Sequence, residues 1–116
     1  MNIKIYHNPR CKKSRDSYNL LKENAILFET IEYLKCPPSK KELKSILNKL
    51  NITAEELVRK SEGIFKEKYK GKKMSEEEWI EAMEKYPKLI QRPIIIKDNK
   101  AVVGRPIERV TSLLSI

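Results

Sequence analysis

The sequence of 116 residues holds one histidine, two cysteines and no C-x-x-C pair, and no apolar run approaches the ~18 residues of a membrane span. Each shortage excludes something. One histidine and two cysteines are too few for a tetrahedral zinc site. Without a spanning segment, and with an N-terminus MNIKIYHNPR that lacks the apolar stretch of an export signal, neither a membrane protein nor a secreted one is expected. The expected compartment is the cytoplasm, where Cys11 and Cys36, far apart in sequence, are better suited to thiol chemistry than to a structural disulfide. No internal repeat, low-complexity tract or linker is present, and the length suits one domain over residues 1–116 rather than a two-domain cofactor enzyme.

Charge is abundant. Lys and Arg number 25 against 16 acidic residues, a formal net charge of +9 that concentrates anions around the protein. Most lysines alternate with acids, as in FKEKYKGKK, the pattern of a solvated helix surface. No aromatic-basic platform interleaves them, so direct nucleic-acid binding is not expected. The arginines are placed differently: Arg10 and Arg15 flank Cys11, Arg59 lies in ELVRKSE, and Arg92 and Arg105 each precede a proline.

Residues 2–6 alternate as a short strand that ends at His7-Asn8-Pro9, and helical spacing follows from 12 to 23. Residues 27–34 read as a second strand, closed by Pro37-Pro38, with Ser39 capping a helix over 40–50. Further helices are expected over 53–60 and 75–85, the latter opened by Ser75 with acids in its first turn. Trp79 and Met83 share a face there and read as core. The segment RPIIIKDNKAVVGRP reads as a hairpin turning at Asp98-Asn99, and a last helix spans about 106–114. The order is α/β, with a parallel pair first and an antiparallel pair last.

Cys11 therefore follows a strand and opens a helix, where unpaired N–H groups and the positive dipole end favour the thiolate. Arg10, Lys12, Lys13, Arg15 and His7 are candidates to lower its pKa further. The same first turn suits an oxyanion, so nucleophile and substrate would share one cradle. Position 14 is Ser, so the loop holds no resolving thiol and an external one must complete a redox cycle. Cys36 reads as incidental. Arg92 and Arg105, held in extended backbone by the prolines after them, could grip one anion with two planar forks, and a cis Arg92-Pro93 bond is conceivable. His7, four residues before Cys11, is expected to tune it.

These residues resemble the glutaredoxin-coupled arsenate reductase family: IYHNPRCKKSR, YLKCPP, ELVRK, PKLIQRPIII and GRPIERV occur in the family's order over nearly the whole chain. The resemblance implies a thioredoxin-like mixed four-stranded sheet with an inserted helical segment. It also implies a mechanism in which Cys11 attacks arsenate, glutathione enters as cosubstrate with no bound cofactor, and glutaredoxin releases arsenite. His7 falls on the family's residue for thiolate formation, Ser14 on its monothiol position, and Arg59, Arg92 and Arg105 on its oxyanion-binding arginines. Lys12-Lys13 and Cys36 before Pro37 depart from the family pattern. Two alternatives share the fold: a monothiol glutathione-dependent thiol-disulfide reductase, and a polymerase-binding regulator, whose usual C-x-x-C switch Ser14 removes.

Overall fold

A computed structural model describes residues 2–116. The strands are β1 (Ile3–Tyr6), β2 (Glu29–Ile31), β3 (Ile94–Lys97) and β4 (Lys100–Val103). The helices are α1 (Lys12–Glu23), α2 (Lys40–Leu50), α3 (Ala54–Leu57), α4 (Gly63–Lys68), α5 (Glu76–Lys85) and α6 (Glu108–Leu114), with a 3-10 turn at Pro87–Leu89. By internal contacts the chain forms two compact units, residues 1–36 with 92–116, and Pro37–Gln91.

The first unit is the sheet, ordered β2-β1-β3-β4. β1 runs parallel to β2 and antiparallel to β3, and β3 antiparallel to β4, so the expected parallel pair, hairpin and mixed four-stranded sheet are all present. The central strands are apolar because both their faces are covered: Ile5, Ile94 and Ile95 are fully buried, Ile3 and Ile96 nearly so. Ile3, Ile5 and Ile95 pack with Leu21 of α1 and Val110 and Leu114 of α6. Burying each such side chain contributes roughly 1.5–3 kcal/mol, which fixes α1, and Cys11 at its head, against the sheet. The hairpin closes on the two residues Asp98-Asn99, Asp98 adopting φ 54° while its carboxylate accepts from the Asn2 N–H at 2.8 Å.

β2 is shorter than the 27–34 run suggests. It is an edge strand with Glu29 and Thr30 exposed, and the Glu32 carbonyl accepts from the Lys35 and Cys36 N–H groups, which turns the chain away from the ladder. Leu27 is 92% exposed, so its β-propensity is not matched by a packing partner.

The second unit, inserted between β2 and β3, is helical, as expected of an inserted segment. Ser39, Thr53 and Ser75 each cap a helix in a reciprocal box with Glu42, Glu56 and Glu78. Leu43, Leu57, Trp79, Ile80, Met83 and Leu89 form its interior. α3 ends at Leu57, earlier than the pattern over 53–60 implies, because Val58 turns extended to bridge Ile90 and the Arg59 N–H is taken by the Leu89 carbonyl at 2.6 Å. α4 and the 3-10 turn carry no legible periodicity; each buries one apolar side chain, Phe65 and Leu89.

Candidate active site

Cys11 is the N-cap residue of α1, with extended backbone (φ −95°, ψ 124°) and no side-chain capping bond of its own. The loop before it is shaped by Asn8. The Asn8 carbonyl accepts from the Cys11 N–H at 3.0 Å, and its side-chain oxygen accepts from the Arg10 N–H at 3.0 Å. The Asn8 N–H in turn donates to Ser14 Oγ at 2.9 Å. These bonds wrap residues 8–14 into a tight cradle whose first helical N–H groups point at the sulfur. Burial pushes the Cys11 thiol up. The Ser14 N–H, a hydrogen bond from the Arg92 side chain, the Arg105 charge and the Lys13 N–H together outweigh it and hold the pKa below the ordinary thiol value.

The cationic influence comes from the far end of the sequence. Arg105 places Nη2 3.2 Å from Cys11 Sγ and donates through Nε to the Arg92 carbonyl at 2.6 Å. Both Arg92-Pro93 and Arg105-Pro106 are cis. Of the flanking cations expected to act on the thiol, Lys12 pairs with Asp16 at 3.3 Å in solvent and Arg15 donates to the Pro9 carbonyl at 3.1 Å. Neither is among the groups that move the Cys11 pKa. Adjacency in sequence did not give proximity of charge to sulfur, because side chains on the exposed face of α1 leave the N-terminus for water.

His7 is buried, not a solvated loop residue. Its Nδ1 lies 2.6 Å from Ser14 Oγ and its ring stacks on Tyr18 with centroids 4.8 Å apart. With the imidazole proton on Nε2, Ser14 donates to Nδ1 while accepting from Asn8, which satisfies all three groups. Burial depresses the His7 pKa, Glu32 opposes this and Arg15 adds to it, and the sum lies below the ordinary imidazole value. His7 is therefore neutral near pH 7. Its contact with Cys11 runs through Ser14, which it fixes and whose N–H meets the sulfur.

The structure thus gathers Cys11, His7, Ser14, Arg92 and Arg105 in one unit. Arg59 belongs to the other, where its Nε donates to Ser61 Oγ at 3.1 Å, Glu62 approaches at 3.8 Å, and Nη1 is buried without a hydrogen-bond partner. Cys36 is free and exposed. Sequence reading missed two positioning residues. Asn8 read as punctuation, although an Asn before Pro is a recurrent loop former. At Gly104, a Cβ would stand 2.8 Å from Ser17 Oγ, 2.9 Å from Pro93 Cγ and 3.1 Å from Ile95 Cδ1. Only glycine lets the chain between β4 and Arg105 approach α1 this closely.

The mixed β2-β1-β3-β4 sheet with α1 opening after β1 is a thioredoxin-like fold, and it carries a cysteine of depressed pKa at the head of α1 with an arginine on its sulfur. The ArsC family model matches residues 6–113, and the chain belongs to that family. It is 44% identical over 97% of its length to the uncharacterized protein YfgD of Escherichia coli, covering 96% of that relative. It is 40% identical to the arsenate reductase of Neisseria meningitidis serogroup A, with 97% of each chain covered. The solved structure of the arsenate reductase from Vibrio cholerae superposes with a TM-score of 0.92 at 38% identity, over 97% of both chains.

Proposed function

We propose that this protein is an arsenate reductase in which the Cys11 thiolate attacks arsenic, glutathione is the cosubstrate and glutaredoxin the final electron donor. The observation that carries the reading is the Arg105 guanidinium 3.2 Å from a helix N-terminal cysteine whose pKa it helps to depress. Nucleophile and anion-binding groups converge on one point, as transfer to a tetrahedral oxyanion requires. The names of the Neisseria and Vibrio relatives support the choice of arsenate.

In the first step an S–As bond forms and an As–O bond breaks, the oxygen leaving as water. Glutathione displaces a second oxygen, again as water. A glutaredoxin thiolate then attacks the glutathione sulfur; an S–S bond forms, the As–S electron pair stays on arsenic, and As(V) becomes As(III). Water cleaves the remaining Cys11–As bond and frees arsenite. The sum is arsenate plus two thiols giving arsenite, a mixed disulfide and one water. Ser14 is consistent with an external thiol, since the loop offers none.

Arg92 and Arg105 hold the oxyanion in this scheme, and His7 and Ser14 hold the cradle. Arg59 is assigned to oxyanion binding on the resemblance of its ELVRK motif alone. Phosphate fits the same donors, so selectivity rests on thiol–arsenic chemistry and not on anion binding alone. The cycle needs a reducing compartment, which assigns the protein to the cytoplasm; none of its described helices is long and apolar enough to cross a membrane.

The test is arsenite formation with each thiol omitted in turn. Loss of product without glutathione or without glutaredoxin is expected. Undiminished arsenite formation with thioredoxin as sole reductant overturns the donor assignment, and reduction of a glutathionylated peptide with no arsenite formed moves the protein to monothiol disulfide reduction.

A further inference from the structure

A cavity of about 240 Å³ opens beside the nucleophile loop, lined by His7, Pro9, Arg10, Glu32, Leu34 and Lys35 among others. It shares no residue with the Arg92–Arg105 pair, so both can be filled at once. Pro9 and Arg10, which line it, immediately precede Cys11, and consecutive Cα atoms are about 3.8 Å apart, so the cavity borders the segment that carries the sulfur. Its walls carry both signs of charge, from Arg10 and Lys35 against Glu32. Leu34, 38% exposed, adds an apolar surface that the fold leaves uncovered. Glu32 and Lys35 face each other at 3.6 Å in solvent, a pair weak enough to exchange for ligand charges. The volume falls below the ~300–1,000 Å³ of a drug-sized pocket and suits one end of a small peptide.

We propose that this cavity receives the γ-glutamyl end of the thiol cosubstrate. Lys35 and Arg10 take its α-carboxylate, Glu32 takes its α-ammonium, and Leu34 packs on its methylenes. The cysteinyl thiol then emerges at Pro9-Arg10 towards the arsenic held on Cys11. Both charges of the zwitterion meet an opposite one, its ammonium at Glu32 and its carboxylate between Arg10 and Lys35. The inference deepens the arsenate reductase reading and rests on it for the kinetic assay, but binding can be read without turnover.

The experiment compares two dipeptides as the thiol in arsenate turnover: γ-glutamylcysteine, which keeps the proposed anchor, and cysteinylglycine, which lacks it. In the native protein the KM for cysteinylglycine is expected to be about tenfold higher, the worth of one good charged anchor. In Glu32→Gln/Lys35→Gln the KM for γ-glutamylcysteine rises about five- to tenfold and the difference between the dipeptides closes. Both side chains are exposed, so the substitutions leave the core intact. Equal KM values in the native protein, or a substitution that raises both alike, overturns the proposal while leaving arsenate reduction standing. If no thiol supports turnover, the arsenate reductase reading fails, and amide shifts on titration with S-methylglutathione decide the site. Shifts centred on residues 7–10 and 32–35, lost in the double variant, support it; shifts elsewhere or none overturn it.

Discussion

Replacing Arg105 by Ala should raise the pKa of Cys11, and the structure bounds the amount. Arg105 Nη2 stands 3.2 Å from the sulfur. Two unit charges at that distance interact with ~1 kcal/mol at the dielectric of water and ~5 kcal/mol at an effective dielectric of 20. Hydrogen bonds to charged groups in proteins contribute about 1.5–3 kcal/mol. Cys11 and Arg105 are both half-buried, which favours the lower part of that span. At about 1.4 kcal/mol per pH unit, the pKa should rise by about one to two units. It should not return fully to that of a free thiol, because the Lys13 and Ser14 N–H groups and the Arg92 hydrogen bond remain. The assay is ultraviolet thiolate absorbance against pH in a Cys36→Ser background, which removes the other, exposed thiol. Arg105→Lys should fall between the two, keeping charge but losing the fork that also grips the Arg92 carbonyl. A pKa unmoved in Arg105→Ala, within about 0.3, would show that the guanidinium does not act on the thiolate and refute the electrostatic argument.

Other outcomes follow from the same contacts. Ser14→Ala strips partners from His7 Nδ1 and the Asn8 N–H, both buried, and should cost about 1–3 kcal/mol in urea unfolding. It should move the thiol pKa less than Arg105→Ala, because the backbone N–H at position 14 survives. Gly104→Ala forces a Cβ to 2.8 Å from Ser17 Oγ and should destabilise by about 1–3 kcal/mol, partly recovered by adding Ser17→Ala; an unchanged urea midpoint would contradict the close approach. His7 has a folded-state pKa below its unfolded value, so the unfolded chain binds the extra proton. Stability is full above about pH 6.5 and falls as pH drops towards the folded pKa; His7→Gln should flatten that fall in unfolding measured between about pH 7.5 and 5.5. Cys11 is depressed likewise, so alkylation by iodoacetamide should rise through a midpoint below that of a free thiol and level off above it.

What could be read from the sequence was what local chemistry decides. α1, α2 and α5 sit within a residue of their expected spans, because strong apolar periodicity and, for α2 and α5, Ser caps with Glu three residues on specify them without outside help. The hairpin was legible in Asp98-Asn99 between two apolar runs. β2 and α3 were overdrawn, since their ends are set by the Glu32 turn and the Val58–Ile90 bridge, neither of which has a local signature. At the site, Cys11 at a helix start was visible, and so was the interest of two Arg-Pro steps. That Arg105 and not Arg10 or Lys12 meets the sulfur was not visible, for the pairing spans 94 positions and depends on the chain after β4 passing close to α1 at Gly104. The burial of His7 was hidden for a similar reason: its partners Ser14 and Tyr18 lie in the first two turns of a helix whose inward face a single loop residue cannot reveal.

The central claim is that Cys11, gripped by the Arg92–Arg105 pair, reduces arsenate. Its most direct measurement is arsenate-dependent NADPH oxidation with glutathione, glutaredoxin and glutathione reductase supplied, for the native protein, Cys11→Ser and Arg92→Ala. The account predicts turnover in the native protein, none in Cys11→Ser, and a loss of about tenfold or more in kcat/KM for arsenate in Arg92→Ala. Turnover that survives Cys11→Ser, or its absence from the native protein under these conditions, would contradict it.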